Sequence, residues 1–422
     1  MNDPSTGRLE RLGAWLLSSV GLRRHRLVFF TAVGGLTLCN VLIGGGWWAF
    51  WPVFVWALIY FLHLCLVQAA NVNEEWVDER TDELRLRSYD LGHIDDIENR
   101  YNTGGRVGAT RRARRAKVQV EHRYPIIDAH HHLWDLERNY YPWLANEPPV
   151  EGRHGDYRAI RETYLPSHFQ RDWGVVNVAG SVHVEAEWDP ATPGGETRWL
   201  AQIYEEHGLP NATVAHAMLD ASDLDEVLAT HATFPFMRGI RDKPAVAASA
   251  QEIEVGAPGS MSDPAWQAGY AKLADFGFSF DLQAPYWHMN EAAALAQAHP
   301  KTLMIINHAG LPVHRDAHGL AAWRDAMGAV ASVPNVVLKI SGLGGPHLQP
   351  WSVAKHLSVV HDAIDIFGPE RCMFGSNYPV ERLYAPYESI MRGFMEMVHL
   401  YPIGERRRML HDNACEYYRI AL

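Results

Sequence analysis

Three consecutive histidines, His130, His131 and His132, follow a short apolar run from Tyr124 to Ile127. Such a run reads as a buried strand. Side chains alternate along a strand, so His130 and His132 share one face while His131 points away. Two imidazoles on one face at a strand end can hold a metal ion or polarise a substrate oxygen. The same alternation gathers polar groups at the ends of later strand-like runs. They are His183 and Glu185, Arg241, Asp281 and Gln283, His308, Lys339 and Ser341, and Asn377 in Gly-Ser-Asn-Tyr-Pro. Unpaired charges are costly in a packing core, so these groups point to a shared site.

The elements that must position them are short apolar strands alternating with helical patterns, as in a parallel sheet with crossover helices. Strands are expected at 126–130, 180–185, 212–218, 237–241, 278–283, 303–308, 336–341 and 371–375, and helices at 196–207, 265–276, 289–299, 320–333 and 353–367. Eight alternations in this length fit an α/β fold, a (β/α)8 TIM-like barrel over 124–422, with its active site at the C-terminal strand ends. A doubly wound open sheet is the alternative, but no Gly-x-Gly-x-x-Gly follows the first strand.

The first part of the chain is of another kind. From Leu27 to Asn73 there is no Asp, Glu, Lys or Arg. A membrane span needs about 20 apolar residues, so 27–70 is expected to form a transmembrane helical hairpin, with spans 27–43 and 48–68. Gly44, Gly45 and Gly46 suit the turn, and Trp47, Trp48 and Trp51 suit a membrane–water interface. His63 lies within the second span, where it is either functional or tucked between helices. Residues 1–26 form a basic segment with interfacial-helix spacing at 8–22, and 71–123 a charged juxtamembrane helix and linker. The run Arg106–Lys117 could contact anionic lipid headgroups or nucleic acid, or simply be solvated. Arginines on both sides of the hairpin place both termini and the barrel in the cytoplasm, at the inner membrane. This hairpin resembles the bacterial two-transmembrane-helix module.

The net charge of −11 divides into +3 over 1–123 and −14 over 124–422. So acidic a barrel argues against nucleic acid as its substrate. The four cysteines, Cys39, Cys65, Cys372 and Cys415, form no Cys-x-x-Cys pair, which disfavours a disulfide framework or zinc knuckle.

Residues 124–422 resemble the amidohydrolase-related branch of the amidohydrolase superfamily, which includes sugar lactonases, 2-pyrone-4,6-dicarboxylate lactonase and related decarboxylases. The resemblance lies in Asp128-Ala-His-His-His-Leu-Trp, Val182-His-Val-Glu-Ala, Arg238-Gly-Ile-Arg, Phe280-Asp-Leu-Gln, Asn307-His-Ala-Gly-Leu-Pro, Lys339-Ile-Ser-Gly-Leu and Arg371-Cys-Met-Phe-Gly-Ser-Asn-Tyr-Pro-Val. It implies hydrolysis of a small lactone or related carboxylic ester. His130, His132 and His308 would polarise the carbonyl directly or through one divalent metal such as zinc. Arg241 would hold a substrate carboxylate or hydroxyl, helped by His183, Gln283, Lys339 and Ser341, and Glu185 and Asp281 are the candidate bases. Two departures stand out. Metal-dependent members carry a histidine after the fifth strand and an aspartate after the eighth, where this chain has Gln283 (or Asp281) and Asn377. A neutral amide is no general base, and loss of an anionic ligand weakens a metal site. A decarboxylase and a non-catalytic small-acid sensor at the membrane are the alternatives. A homo-oligomer is also compatible with the sequence.

Overall fold

The computed structural model describes residues 19–44, 46–70, 125–149 and 154–421. Most of the expected interfacial helix at 8–22, the charged juxtamembrane segment and the Arg106–Lys117 run lie outside the described residues. The chain divides into two units, one containing the hairpin and the other the barrel.

In the hairpin, α1 (Ser19–Ile43) and α2 (Phe50–Ala70) are each long and apolar enough to cross a membrane. Asn40 closes the turn. Its side chain donates to Gly46 O (3.0 Å) and accepts from Ala49 N (2.9 Å), satisfying backbone groups that a helix end leaves open. Gly44 and Gly46 have φ of 71° and 87°, a region that a residue with a Cβ rarely adopts. His63 is indeed tucked between the helices. Trp56 Nε1 donates to His25 Nε2 (3.1 Å), so neutral His25 carries its proton on Nδ1 and donates it to His63 Nδ1 at 2.7 Å.

The barrel has eight parallel strands in sequential order among the described residues: β1 (Ile126–His131), β2 (Val178–Val184), β3 (Ala212–His216), β4 (Met237–Arg241), β5 (Ser279–Leu282), β6 (Met304–Ile306), β7 (Val336–Ile340) and β8 (Cys372–Phe374). Beyond the last ladder, Asn377 N donates to His130 O and His132 N to Tyr378 O, both at 2.7 Å, so the chain after β8 closes onto β1. Crossover helices include α3 (Pro166–Asp172), α4 (Gly195–His207), α5 (Leu224–Ala232), α6 (Pro264–Lys272), α7 (Met289–Ala298), α8 (Ala317–Ala331), α9 (Val353–Phe367) and α10 (Tyr387–Val398). Among the helices the sequence pattern did not reveal, with α3 and α10, is α5. It is short, and its buried residues, Leu224, Leu228 and His231, make one brief stripe.

Ile127 and Ala129 pack with Val182, Val184, Ala212, Val214, Ile305, Val337 and Met373, to which the C-terminal segment adds Ala414, Tyr418 and Ile420. These small and branched side chains, drawn from six strands, make the interior a packed core rather than a pore. Several strands stop short of their expected C-terminal ends. β6 ends at Ile306 because His308 and Ala309 take φ of 56° and 52°, which no ladder accommodates.

Candidate active site

The site gathers where β1 meets the end of β8. Strict alternation from Ile127 and Ala129 would turn His130 away from the interior, yet the register between β1 and β2 slips between Asp128 and His131. This irregularity re-aims the chain. His130 then lies 4.7 Å from His308 and 5.0 Å from His132 between ring centroids. His131 faces the other way and stacks on Phe169 of α3 at 4.3 Å. Asp128 ties the seam together, its Oδ1 accepting from Ser376 N (2.8 Å) and His130 N (3.2 Å).

Two of the site residues sit in strained backbone. His308 (φ 56°) and Asn377 (φ 57°) both occupy the left-handed region, which costs roughly 1–3 kcal/mol per residue and persists only where the surroundings impose it. Two glycines admit the rings. A Cβ on Gly375 would stand 2.5 Å from His130 Cβ, and one on Gly342 would run into the His308 imidazole. His308 Nδ1 contacts Ser341 Oγ at 3.0 Å. His132 Nδ1 donates to Val184 O (2.7 Å), which leaves Nε2 as an acceptor, 3.2 Å from the Asn377 amide. The two ends of an amide are alike in shape, so a neutral His132 pairs with the N–H end of Asn377. Burial, together with Arg241 and His183, holds His132 well below the usual imidazole pKa. Burial, Lys339 and His308 do the same to His130. Both ring nitrogens of His130 are buried and lack a hydrogen-bond partner among the described residues. Both ring nitrogens of His131 share that state, and what sets His130 apart is its place between His132 and His308.

The charged groups fall into two locked clusters. Arg241 donates Nε to Glu185 Oε1 (2.5 Å), Nη2 to Glu185 O (2.6 Å) and Nη1 to Gln283 Oε1 (3.1 Å). Burial alone would raise the Glu185 carboxyl, but the guanidinium outweighs it and holds the group well below the carboxylate range. Lys339 Nζ donates to Asp281 Oδ1 at 2.7 Å with both side chains fully buried. Tyr418 donates to the same carboxylate, 2.9 and 3.1 Å from its two oxygens. This geometry bears on three expectations. Arg241 spends three of its five N–H groups on Glu185 and Gln283, Glu185 is held by that guanidinium, and Asp281 is held by Lys339 and Tyr418. His183 is the third, since Val182 and Val184 face the interior and the ring between them faces outward. It meets His131 at 5.8 Å and the Glu196 carboxylate at 3.8 Å. Sequence reasoning overlooked Tyr418 and Glu196, as well as the seam role of Asp128. Asp128 left a signal, standing two residues before His130, and Tyr418 lies in the closing run Asn413-Ala-Cys-Glu-Tyr-Tyr-Arg.

Ring separations near 5 Å would suit a shared ion, yet no three His, Cys, Asp or Glu side chains among the described residues close around one point. The β8 position that would supply an anionic ligand is the Asn377 amide. As arranged, these side chains do not close around one ion.

The amidohydrolase family model matches residues 127–420, more than half of the chain. The chain belongs to the amidohydrolase family. This amidohydrolase is 38% identical over 295 residues to y4mH, an uncharacterized protein of Sinorhizobium fredii, covering 70% of this chain and 98% of that one. It is 27% identical over 275 residues to an L-fucono-1,5-lactonase of Burkholderia multivorans, covering 63% and 85%. The barrel also matches the crystal structure of a Burkholderia multivorans amidohydrolase with bound HEPES. There the TM-score is 0.59 and the identity 24%, covering 70% of this chain and all of the other. The expected fold and the hydrolase superfamily are thus borne out.

Proposed function

We propose that this amidohydrolase opens a small lactone by hydrolysis, with His130 as the proton acceptor. One observation carries the reading: the His130 ring stands 5.0 Å from His132 and 4.7 Å from His308 at the strand ends, with neither of its nitrogens bonded among the described residues. Water held at a free imidazole lone pair gives up its proton there as its oxygen attacks the lactone carbonyl. His308 and the Asn377 amide stand beside that point as N–H donors to the oxyanion, and His132 holds the amide in place. The ring C–O bond then breaks. His130 returns the proton to the leaving alkoxide, and a hydroxy acid departs. The lactonase named among the relatives supports this substrate class. Ring opening releases acid, so a pH-indicator assay of the purified full chain against a lactone panel tests the reading. Carbon dioxide release in place of a ring-opened acid would instead make it a decarboxylase.

The hairpin is proposed as a membrane anchor. Leu42, Ile43 and Trp47 are 70–75% exposed, an apolar surface that suits lipid and is unusual against water. Arg23, Arg24, Arg26, Arg80, Arg85 and Arg87 flank it and favour a cytoplasmic barrel. Reporter fusions at residue 75 and at Leu422 would show periplasmic activity if that orientation were wrong.

A further inference from the structure

The loops that follow β6, β7 and β8 carry His308, Ser341 and Asn377, and they meet at a single peptide unit, Leu343–Gly344. Its carbonyl accepts from Arg315 Nη2 at 3.3 Å, and its N–H donates to Glu381 Oε2 at 3.0 Å. Arg315 lies on the loop that begins at His308, and Glu381 on the loop that begins at Asn377. The C=O and N–H of a trans peptide point in opposite directions, so guanidinium and carboxylate hold the unit from opposite sides. Each charge meets the end of the peptide dipole that favours it. Burial lowers the Arg315 guanidinium to about 10 and the Glu381 charge opposes that shift, so the two groups also act on one another.

Both arms of this clamp are anchored. Arg315 donates Nε to Pro312 O (2.9 Å) and Nη1 to His356 Nδ1 of α9 (3.4 Å). Glu381 is buried, and its own N–H donates to Asn377 O at 3.1 Å. Position 344 must be glycine, because a Cβ there would stand 2.4 Å from Glu381 Oε2 and 2.3 Å from the Tyr384 ring. The clamped peptide adjoins the site. Gly342 passes so near His308 that a Cβ would lie 2.4 Å from its Nδ1, the atom that contacts Ser341 Oγ. A shift of Leu343–Gly344 thus moves the surface on which the His308 ring rests, and through Glu381 it reaches the Asn377 backbone. His308 and Asn377 are the two site residues in left-handed backbone, which needs such a constraint to persist.

We propose that Arg315 and Glu381 are positioning residues that hold His308 and Asn377 in register with each other through the Leu343–Gly344 peptide. The inference rests on the hydrolase reading, in which those two groups donate to the oxyanion, and adds what sets their placement.

The test uses the purified full chain and one lactone that wild type opens. Glu381→Ala should lower kcat at least about tenfold with KM within about twofold, because the displaced donors act in the transition state. Glu381→Gln keeps an acceptor oxygen for Gly344 N and should return kcat to within about threefold of wild type. Arg315→Met should also lower kcat, and the double variant Arg315→Met/Glu381→Ala should fall little below the slower single variant, since both act through one peptide. Circular dichroism checks that each protein is folded. Wild-type kcat in folded Glu381→Ala would overturn the proposal and leave the hydrolase intact. So would Glu381→Gln as slow as Glu381→Ala, or losses that multiply in the double variant. Should Glu381→Ala not fold, Arg315→Met carries the same comparison of kcat with KM. If wild type opens no lactone, the hydrolase reading fails and hydrogen exchange followed by mass spectrometry decides the clamp separately. Faster exchange over residues 341–345 in Arg315→Met than in wild type supports it, and unchanged exchange overturns it.

Discussion

Lys339→Met should unfold the barrel more easily, and Asp281→Leu added to it should restore most of the loss. Lys339 and Asp281 are both fully buried and joined at 2.7 Å, with the Tyr418 ring 5.0 Å from the ammonium. Removing one member strands a carboxylate without water, which costs about 3–5 kcal/mol, whereas replacing both with apolar groups is often close to neutral. For a barrel of roughly 300 residues, about 2 °C of Tm per kcal/mol puts the single variant roughly 6–10 °C below wild type. Near-UV circular dichroism of the full chain, heated at pH 7, follows the aromatic packing of the barrel. A single variant within about 2 °C of wild type, or a double variant as unstable as the single, would refute the account of the cluster. A folded Asp281→Asn protein that binds substrate yet loses turnover would return Asp281 to the role of base.

Burial pushes the Asp128 carboxyl up from 3.8 to about 6. The folded state therefore binds this proton more tightly than the unfolded one, and the contribution is full below pH 4 and lost as pH rises to 6. The difference is about 3 kcal/mol, and Asp128→Asn should flatten that part of a stability–pH curve measured by urea unfolding. His131→Ala should lower Tm more than turnover, because His131 stacks on Phe169 away from the site; a hundredfold loss of kcat in a protein of unchanged Tm would contradict this. Asn377→Asp supplies an anionic donor at the β8 position, and should raise zinc affinity measured by calorimetry without raising turnover. Equal zinc affinity in the two proteins would show that the amide is not what the metal site lacks.

The barrel was legible because its strands are short apolar runs and its polar groups recur at their ends. The α5 helix was not, since a nine-residue segment shows too few turns for its period to stand out. Alternation placed His132 and His131 correctly on opposite faces. It succeeded for His130 only because the β1 irregularity turns that ring toward His308. Alternation also predicted an inward His183, although the inward parity of β2 belongs to Val182 and Val184. Which charges neutralise one another was hidden as well. Arg241 meets Glu185 across 56 residues and Tyr418 meets Asp281 across 137. Such pairs follow from barrel closure and the return of the C-terminal segment, which local sequence does not specify.

The most direct test of the central claim is kcat/KM of His130→Ala and wild type for one lactone opened by the wild-type chain, with circular dichroism of both. Removal of the proton acceptor should cost at least about a hundredfold with the fold retained. A His130→Ala protein that keeps its fold and opens the lactone within about threefold of the wild-type rate would contradict the assignment.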